Sequence, residues 1–481
     1  AATTVNTGGD ADTVNVGSLA PDSGGNVNGI GAVLTINGEG DALNLDDTSD
    51  TLANTGNLTA TEITGLGMAG KIVYGTLESL KIGLGSGDDT FTVASTHAAT
   101  TELNTNDGSD TVTLETIAGI TTVNTGAGTD TVNVRTIAAA TTVNTGADAD
   151  TVNVGSLAPA TGGDVNGIGA VLTINGNGGS DTLNVDDTGD SLANTGNLTA
   201  TELTGLGMTG KIVYGTLESL KIGLGSGDDT FTVASTHAGT TELNTNGGGD
   251  TVTLETIAGI TTVNTGAGTD TVNVRTIAAA TTVNTGDDAD TVNVGSLAPA
   301  TDGNVNSIAA VLTINGNGGS DSLNVDDTGD TLANLGNLTA TELTGLGMTG
   351  KIVYGTLESL KISLGSGDDT FTVASTHSGT TELNTNGGGD TVNVRTIAAA
   401  TTVNTGADAD TVNVGSLAPS TGGNVNGIGA VLTINGEGGS DTLNVDDTGD
   451  TLANTGNLTA TELTGLGMAN GVTYHGLENL E

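Results

Sequence analysis

The 481-residue sequence has no cysteine and no tryptophan, and it contains only four prolines, four tyrosines and three phenylalanines. Without cysteine, neither disulfides nor thiolate metal sites can stabilise the fold. Because aromatic side chains are so scarce, the core has to be built from aliphatic residues. No apolar run approaches the roughly 18 residues that a membrane-spanning helix needs, so we expect no membrane insertion.

Basic residues are also rare. Nine Lys and Arg stand against 56 Asp and Glu, which gives a net charge of −47 at pH 7. A field of this sign repels phosphate backbones and anionic lipids, and it therefore argues against binding to nucleic acids or membrane surfaces. The chain starts at Ala1 without an initiator Met or a signal-peptide pattern, which is expected of a processed terminus or of a cut through a longer chain.

Internal repetition explains the residues that are present. The four tyrosines are spaced by 140, 140 and 120 residues. All nine basic residues are three copies of three positions: Lys71, Lys211 and Lys351; Lys81, Lys221 and Lys361; Arg135, Arg275 and Arg395. We therefore expect one continuous solenoid over 1–481, built of repeats that span approximately 1–150, 151–290, 291–410 and, in part, 411–481.

A shorter period of twenty residues lies inside each repeat. The segment 124–134 recurs as 144–154, with the same Asn-Thr-Gly start and the same Asp-Thr-Val-Asn-Val end. The third repeat lacks the twenty residues that the second carries as Thr251 to Asp270, and it then resumes in phase. Loss of one whole coil preserves every remaining contact between stacked coils, as expected for a solenoid.

The local pattern predicts short strands. Thr131-Val132-Asn133-Val134 alternates polar and apolar residues, and Gly, Asn and Asp clusters separate such runs. The predicted fold is all-β: a right-handed parallel β-solenoid, similar to a β-roll, with about 20 residues per coil and a loop insertion once per repeat. We expect 155–169 to be a loop and 194–208 to be irregular, and we expect Asn and Thr to form ladders between coils.

One motif carries chemistry. Each coil has a Gly-rich turn that ends in Asp, as in Gly126-Ala127-Gly128-Thr129-Asp130. Ca²⁺ prefers six to eight oxygen ligands from carboxylates and turn carbonyls. Aspartates stacked every ~4.8 Å would repel one another unless cations neutralised them. The candidate calcium ligands are Asp12, Asp41, Asp89, Asp110, Asp130, Asp150, Asp181, Asp229, Asp250, Asp270, Asp290, Asp321, Asp369, Asp390, Asp410 and Asp441.

The runs Thr125–Asn133 and Leu84–Thr92 match the nonapeptide Gly-Gly-x-Gly-x-Asp-x-apolar-x at the second Gly, the fourth-position Gly, the Asp and the apolar residue. They resemble the RTX (repeats-in-toxin) calcium β-roll family, and the chain is also similar to repetitive regions of large bacterial surface and matrix proteins. The resemblance implies an extracellular or cell-surface protein that binds calcium. Motifs recur here only every ~20 residues, so we expect one edge of the solenoid to carry them. The alternative is that these aspartates only make the turns soluble.

Other residues support weaker predictions. A second acidic cluster, Asp186-Asp187-Thr188-Gly189-Asp190, recurs in each repeat. Tyr74 and Phe91 with their copies are predicted core residues, and Lys and Arg are predicted to pair with acids such as Glu78 and Glu115. Surface positions without a metal are predicted for His97, His237 and His377. The pattern Asn-x-Thr offers possible glycan attachment at Asn57, Asn197, Asn337 and Asn457.

These observations favour a structural function. Every candidate residue occurs three or four times, so the sequence has no unique catalytic cluster and we do not expect an enzyme. Joining Glu481 to Ala1 aligns Asp12 with Asp89, which predicts identical subunits adding head to tail. The favoured function is a calcium-stabilised extracellular filament subunit. The alternative is a rod-like stalk segment of a giant calcium-binding adhesin, and an ice-binding or polysaccharide-binding solenoid is less favoured.

Overall fold

A computed structural model describes residues 1–481. The chain is entirely β, with 43 strands that pair mostly in parallel, and it contains no helix. The expected β-solenoid of tandem repeats is confirmed. No helix is present that is long and apolar enough to cross a membrane.

The chain forms two compact units, and the first comprises residues 1–229 and 236–246. Its strands are β1 (Thr3–Gly8), β2 (Thr13–Val16), β3 (Val33–Asp46), β4 (Thr55–Leu58), β5 (Glu62–Gly65), β6 (Lys71–Gly83), β7 (Thr90–Val93), β8 (Thr100–Asn104), β9 (Thr111–Leu114), β10 (Thr121–Asn124), β11 (Thr131–Val134), β12 (Thr141–Asn144), β13 (Thr151–Val154), β14 (Val171–Asn175), β15 (Thr182–Asp186), β16 (Thr195–Leu198), β17 (Glu202–Gly205), β18 (Lys211–Gly215) and β19 (Ser219–Gly223).

The second unit comprises residues 230–235 and 247–481. The remaining strands are β20 (Thr230–Val233), β21 (Thr240–Asn244, in the first unit), β22 (Thr251–Leu254), β23 (Thr261–Asn264), β24 (Thr271–Val274), β25 (Thr281–Asn284), β26 (Thr291–Val294), β27 (Val311–Asn315), β28 (Ser322–Asp326), β29 (Leu335–Leu338), β30 (Glu342–Gly345), β31 (Lys351–Gly355), β32 (Ser359–Ser363), β33 (Thr370–Val373), β34 (Thr380–Asn384), β35 (Thr391–Val394), β36 (Thr401–Asn404), β37 (Thr411–Val414), β38 (Val431–Asn435), β39 (Thr442–Val445), β40 (Gly456–Leu458), β41 (Glu462–Gly465), β42 (Gly471–His475) and β43 (Asn479–Leu480).

Alternation of side chains explains the strands and the core. In β11, Val132 and Val134 are fully buried, and Thr131 is only partly so. β11 pairs in parallel with β13, exactly one twenty-residue period later in the chain, so that Val132 stacks on Val152. On the outer side, the Asn144 amide donates to the Asn124 side-chain oxygen at 2.7 Å. The predicted asparagine ladders are therefore present.

In the first unit the strands form two stacks, and consecutive coil strands alternate between them. Stack A runs through β1, β3, β6, β5, β4, β7, β9, β11, β13, β15, β19 and β21. Stack B runs through β2, β3, β6, β8, β10, β12, β14, β18, β17 and β16. β3 and β6 are long enough to contribute to both.

The second unit has the same plan. Stack C runs through β23, β25, β27, β31, β30, β29, β33, β35, β37, β39 and β43. Stack D runs through β20, β22, β24, β26, β28, β32, β34, β36, β38, β42, β41 and β40.

An antiparallel hairpin interrupts the parallel order once per repeat. The stretch 194–208, expected to be irregular, contains β16 and β17, which pair with each other and then with β18. Leu198 and Leu206 of this stretch are fully buried, so it belongs to the core. The hairpin lies in stack A in the first repeat, as β4 and β5, and in stack B in the second. It therefore adds two strands to one stack only.

Candidate functional site: a buried aspartate column

The turn aspartates point inward and bind the neighbouring coil. The backbone N–H of Asp110 donates to Oδ1 of Asp130 at 2.8 Å, and the N–H of Asp130 donates to Oδ1 of Asp150 at 2.8 Å. Asp130 is fully buried. Of the sixteen candidate ligands, fifteen are buried, and Asp12 is half-buried. These carboxylates are thus structural groups of the interior, and the interpretation as solubilising surface acids is wrong.

The sixteen aspartates do not form one column on one edge. Asp12 precedes β2 of stack B, and Asp41 lies within β3, just before the part that pairs with β2, whereas Asp89 precedes β7 of stack A. The hydrogen-bonded columns contain fifteen of them: Asp12–Asp41; Asp89–Asp110–Asp130–Asp150–Asp181; Asp250–Asp270–Asp290–Asp321; and Asp369–Asp390–Asp410–Asp441. Oδ1 of the sixteenth, Asp229, accepts the Asn194 N–H at 2.7 Å. The expectation of a single acidic edge is therefore corrected: the hairpin moves the Asp turn to the other edge of the solenoid.

Each long column has a defined start and end. The N–H of Asn54 donates to Oδ1 of Asp89 at 2.8 Å, which starts the column of the first repeat. At the other end, the N–H of Asp181 donates to Oε2 of Glu218 at 2.7 Å. Asn334 and Glu358 take the same roles in the second unit, at Asp369 and Asp321. Sequence reasoning missed these ends, because Glu218 does not follow the Gly-x-Asp spacing.

The second carboxylate oxygen has no hydrogen-bond partner along most of the columns. This Oδ2 atom is buried and unpartnered at Asp110, Asp130, Asp150, Asp181, Asp270, Asp290, Asp321, Asp390, Asp410 and Asp441. A buried, unpaired carboxylate oxygen costs free energy unless a proton or a cation neutralises the charge. A cation bound beside these oxygens would therefore neutralise the charge of the columns.

Burial shifts the titration of these acids. Desolvation, reinforced by neighbouring aspartates, raises the pKa of Asp110, Asp150, Asp290 and Asp410 to about 6, against the opposing effects of backbone N–H bonds and of nearby threonine hydroxyls. It raises the pKa of Asp390 to about 7. No basic side chain relieves this charge, since all seven ion pairs use glutamates. Protons or cations from solution therefore have to neutralise the charge of the column aspartates.

The turn backbone is closely stacked. Gly126 and Gly128 have φ values of 99° and 125°, in the left-handed region. A Cβ at Gly128 would lie 2.0 Å from the Gly108 carbonyl oxygen, so only glycine allows this approach. Beside the column, the buried Thr125 hydroxyl donates to the Thr145 carbonyl at 2.6 Å. Carboxylate, carbonyl and hydroxyl oxygens thus surround the aspartates.

Carboxylate, carbonyl and hydroxyl oxygens are the ligands that Ca²⁺ prefers. Nowhere do three or more His, Cys, Asp or Glu side chains converge as a complete metal centre. An ion in the column would therefore take its carboxylate oxygens from aspartates of successive coils, and the remainder from turn carbonyls or water. The donor set and the unpartnered Oδ2 atoms fit calcium of this kind.

The second acidic cluster lies at the start of the hairpin. Asp187 is buried, and its Oδ1 accepts the Val165 N–H at 3.0 Å. Burial, followed by Asp190, Asp164 and Asp229, raises its pKa to about 7. Asp190 is instead saturated by the Leu192 N–H and the Asn194 amide, which hold its pKa below the usual range. This cluster ties the loop 155–169 to the hairpin.

The surface position predicted for the histidines is wrong, and the absence of a metal there stays a prediction. His97, His237 and His377 pack edge-on against Tyr74, Tyr214 and Tyr354, with ring centroids 5.8–6.2 Å apart. Burial lowers the pKa of all three imidazoles, and their Nε2 atoms are buried without a partner. The tyrosines and phenylalanines are core residues as predicted.

The remaining predictions have mixed outcomes. Arg135 pairs with Glu115 as expected, but Lys71 and Lys81 pair with Glu62 and Glu102, not with Glu78. The candidate glycan acceptors Asn57, Asn197, Asn337 and Asn457 lie in the first hairpin strand of each repeat. Glycosylation there stays a prediction.

No protein-family model matches the chain, and no curated protein shows significant similarity to it.

Proposed function

We propose that the protein is a structural, calcium-stabilised β-solenoid of the cell surface or extracellular matrix, related to RTX-type repeats. The observation that supports this is the columns of buried aspartates, each using one oxygen to bind the next coil and leaving the other unpartnered. Ca²⁺ would supply positive charge between coils and so stabilise their stacking. We propose no catalytic activity.

Calcium and protons compete for the same oxygens in this proposal. Since the folded-state pKa of the column aspartates is raised, protons can neutralise the columns in mildly acidic solution. At neutral pH and above, the charge returns and a cation is needed. Affinities of about 10⁻⁴–10⁻³ M are typical of extracellular calcium modules. Such affinity would favour the folded state outside the cell, where calcium is plentiful.

The experiment is a thermal unfolding series at pH 8, followed by circular dichroism. The chain is stripped with a chelator, shown by metal analysis to be calcium-free, and then titrated with Ca²⁺ to several millimolar. We expect the β-spectrum or its melting temperature to rise steeply with Ca²⁺ and much less with Mg²⁺, which demands a tighter octahedral site. An unchanged melting curve would exclude calcium as a main support of the fold.

Two arrangements of this scaffold are proposed. The first is a filament whose identical subunits join head to tail, and the alternative is a stalk segment within a giant adhesin. Electron microscopy of the purified chain with calcium and with a chelator separates them. Calcium-dependent fibres favour the filament, and isolated particles at high protein concentration favour the stalk.

A further inference from the structure

A groove of similar construction recurs in every repeat, away from the aspartate columns. In the second repeat its volume is about 280 Å³, and it lies between the loop at Ala158–Pro159 and the outer face of β13, β15 and β19. The corresponding grooves of the first, third and fourth repeats have volumes of about 290, 270 and 310 Å³. The first three grooves are built from matching residues, and in the fourth Glu481 takes the place of the lysine.

The floor of the groove is polar and regularly spaced. Asn153, Asn184 and Lys221 are adjacent in register on three successive strands. The Asn184 amide donates to the Asn153 side-chain oxygen at 2.9 Å, which fixes both amides in one plane of the ladder. The floor therefore presents amide groups and one ammonium group at strand spacing.

The wall of the groove, which is the loop at Ala158–Pro159, is fixed by hydrogen bonds to neighbouring coils. Arg135 donates from Nε to the Ala158 carbonyl at 2.9 Å, and its guanidinium also pairs with Glu115. Asp186 accepts the Gly163 N–H at 2.8 Å, and the Gly163 carbonyl accepts the Gly189 N–H at 2.7 Å. Arg275 and Arg395 hold Ala298 and Ala418 in the same way, also at 2.9 Å. A preformed wall reduces the entropy lost on binding.

The chemistry of the lining is mixed. Lys221 supplies N–H donors, Asp186 supplies carboxylate oxygens, and Thr161 and Thr188 supply hydroxyls. Pro159, together with its alanine neighbours, gives an apolar surface on one side. Donors and acceptors beside a small apolar wall match a sugar ring, which has hydroxyls at its edge and C–H groups on its face. We propose that each groove binds one unit of a neutral, hydroxyl-rich polysaccharide.

Charge argues for a neutral ligand. The net charge of −47 repels polyanions. The lysines at the floor of the first and third grooves are already paired, Lys81 with Glu102 and Lys361 with Glu382, each at 3.1 Å. An anionic ligand would have to displace these glutamates, whereas a hydroxyl can accept a hydrogen bond from the ammonium while the pair persists.

The small size of each groove limits its affinity. A volume near 300 Å³ is at the lower limit for small-molecule sites, so a single contact is expected to be weak. The groove of the first repeat lies on stack B and that of the second on stack A, so each groove is expected to bind its own stretch of polymer. This proposal does not depend on calcium as the stabilising ion.

The test is native gel electrophoresis of the full chain through gels containing dextran, galactomannan, xyloglucan or soluble starch, with alginate as the anionic comparison. We expect retardation by at least one neutral polymer. The blocking variant combines Asp22→Tyr, Ala160→Tyr, Ala300→Tyr and Ser420→Tyr, at a groove-lining loop position that differs between repeats. It should weaken binding at least 10-fold.

The control variant carries four tyrosines outside the grooves, at the exposed Leu52, Leu192, Leu332 and Leu452, and it should be retarded like the parent chain. Circular dichroism checks that all three proteins are folded in the gel buffer, so a failure of the calcium proposal is measured separately. Retardation only by alginate, retardation by no polymer, or equal binding by the blocking variant would each overturn the proposal.

Discussion

At the scale of single residues, the turn aspartate combines a hydrogen bond with a buried charge. Asp390 accepts the Asp369 N–H at 2.8 Å, and its own N–H donates to Asp410 at 2.7 Å. The twenty-residue spacing in the sequence was sufficient to find these residues. Whether they point inward, and where a column ends, depends on contacts with distant residues such as Asn334, which recurs once per long repeat and does not follow the twenty-residue period.

The raised pKa of Asp390 predicts how stability depends on pH. Its folded-state pKa of about 7 lies above the unfolded value of 3.8, so the folded state binds more protons between these values. The stability that this proton contributes is fully present below pH 4 and is lost as the pH rises through 7. In chelator, we therefore expect the melting temperature to fall between pH 4.5 and pH 8, and calcium to restore it at pH 8.

Two substitutions at Asp390 separate the charge from the hydrogen bond. Asp390→Asn keeps an oxygen for the Asp369 N–H and removes the charge, so it should flatten the pH dependence and weaken the calcium response. Asp390→Ala leaves that N–H without an acceptor and should cost about 1–3 kcal/mol at every pH. Asp287→Asn, at an exposed turn position, is the control and should change little. Equal losses for the Asn and Ala variants in chelator at pH 8 would contradict this account.

At the scale of elements, the hairpin is the part of the repeat that the sequence predicted least well. Its strands read Thr-Gly-Asn-Leu and Glu-Leu-Thr-Gly, in which a glycine takes one position of each strand and leaves no clear alternation of polar and apolar residues. The coil strands, by contrast, keep a strict period of two over many copies. Pairing with neighbouring strands, and not local preference, makes the hairpin a strand pair.

Close packing in the hairpin predicts a glycine requirement. A Cβ at Gly336 would lie 2.3 Å from Cδ2 of Phe371 and 2.9 Å from Cδ2 of Leu346. Gly336→Ala should therefore destabilise the second unit by about 1–3 kcal/mol through overpacking, as measured by chemical unfolding. Gly456→Ala is the matched control, because only Leu466, and no phenylalanine, lies near that position.

A second change checks the cause. Phe371→Leu removes the ring that the new methyl group would meet, so the two substitutions together should cost less than the sum of their separate effects. If the effects simply add, the clash with Phe371 is not the reason for the glycine.

At the scale of the whole molecule, each coil is an interchangeable part. β7 pairs with β9, and β9 with β11, whereas in the third repeat β33 pairs directly with β35. The missing coil changes one ion pair: Arg135 and Arg275 each pair with a glutamate of the preceding coil, but the register of β33 and β35 puts Ala374 at that position, and Arg395 has no ion pair. The sequence alone predicted this modularity, because the deletion spans one whole period.

The last prediction follows from that modularity. Deleting Thr111–Asp130 removes β9 and β10 and reproduces the junction that the third repeat has between Asp390 and Thr391. β7 should then pair with β11, β8 with β12, and the Asp110 N–H should donate to Asp150. We expect circular dichroism to show an intact β-fold with a melting temperature within a few degrees of the parent chain.

The control deletion removes only half a coil, Thr111–Ile120. It brings Thr121–Asn124 into the place of Thr111–Leu114. The buried residues of Thr111–Leu114 are the second and fourth, whereas those of Thr121–Asn124 are the first and third. A shift of this kind turns every inward side chain outward, and it also moves the following Asp turns to the edge that holds Ile117 and Ile137. Cooperative unfolding should therefore be lost in the affected region. If both deletions are tolerated equally, coil register does not determine the fold; if neither is tolerated, coils are not interchangeable.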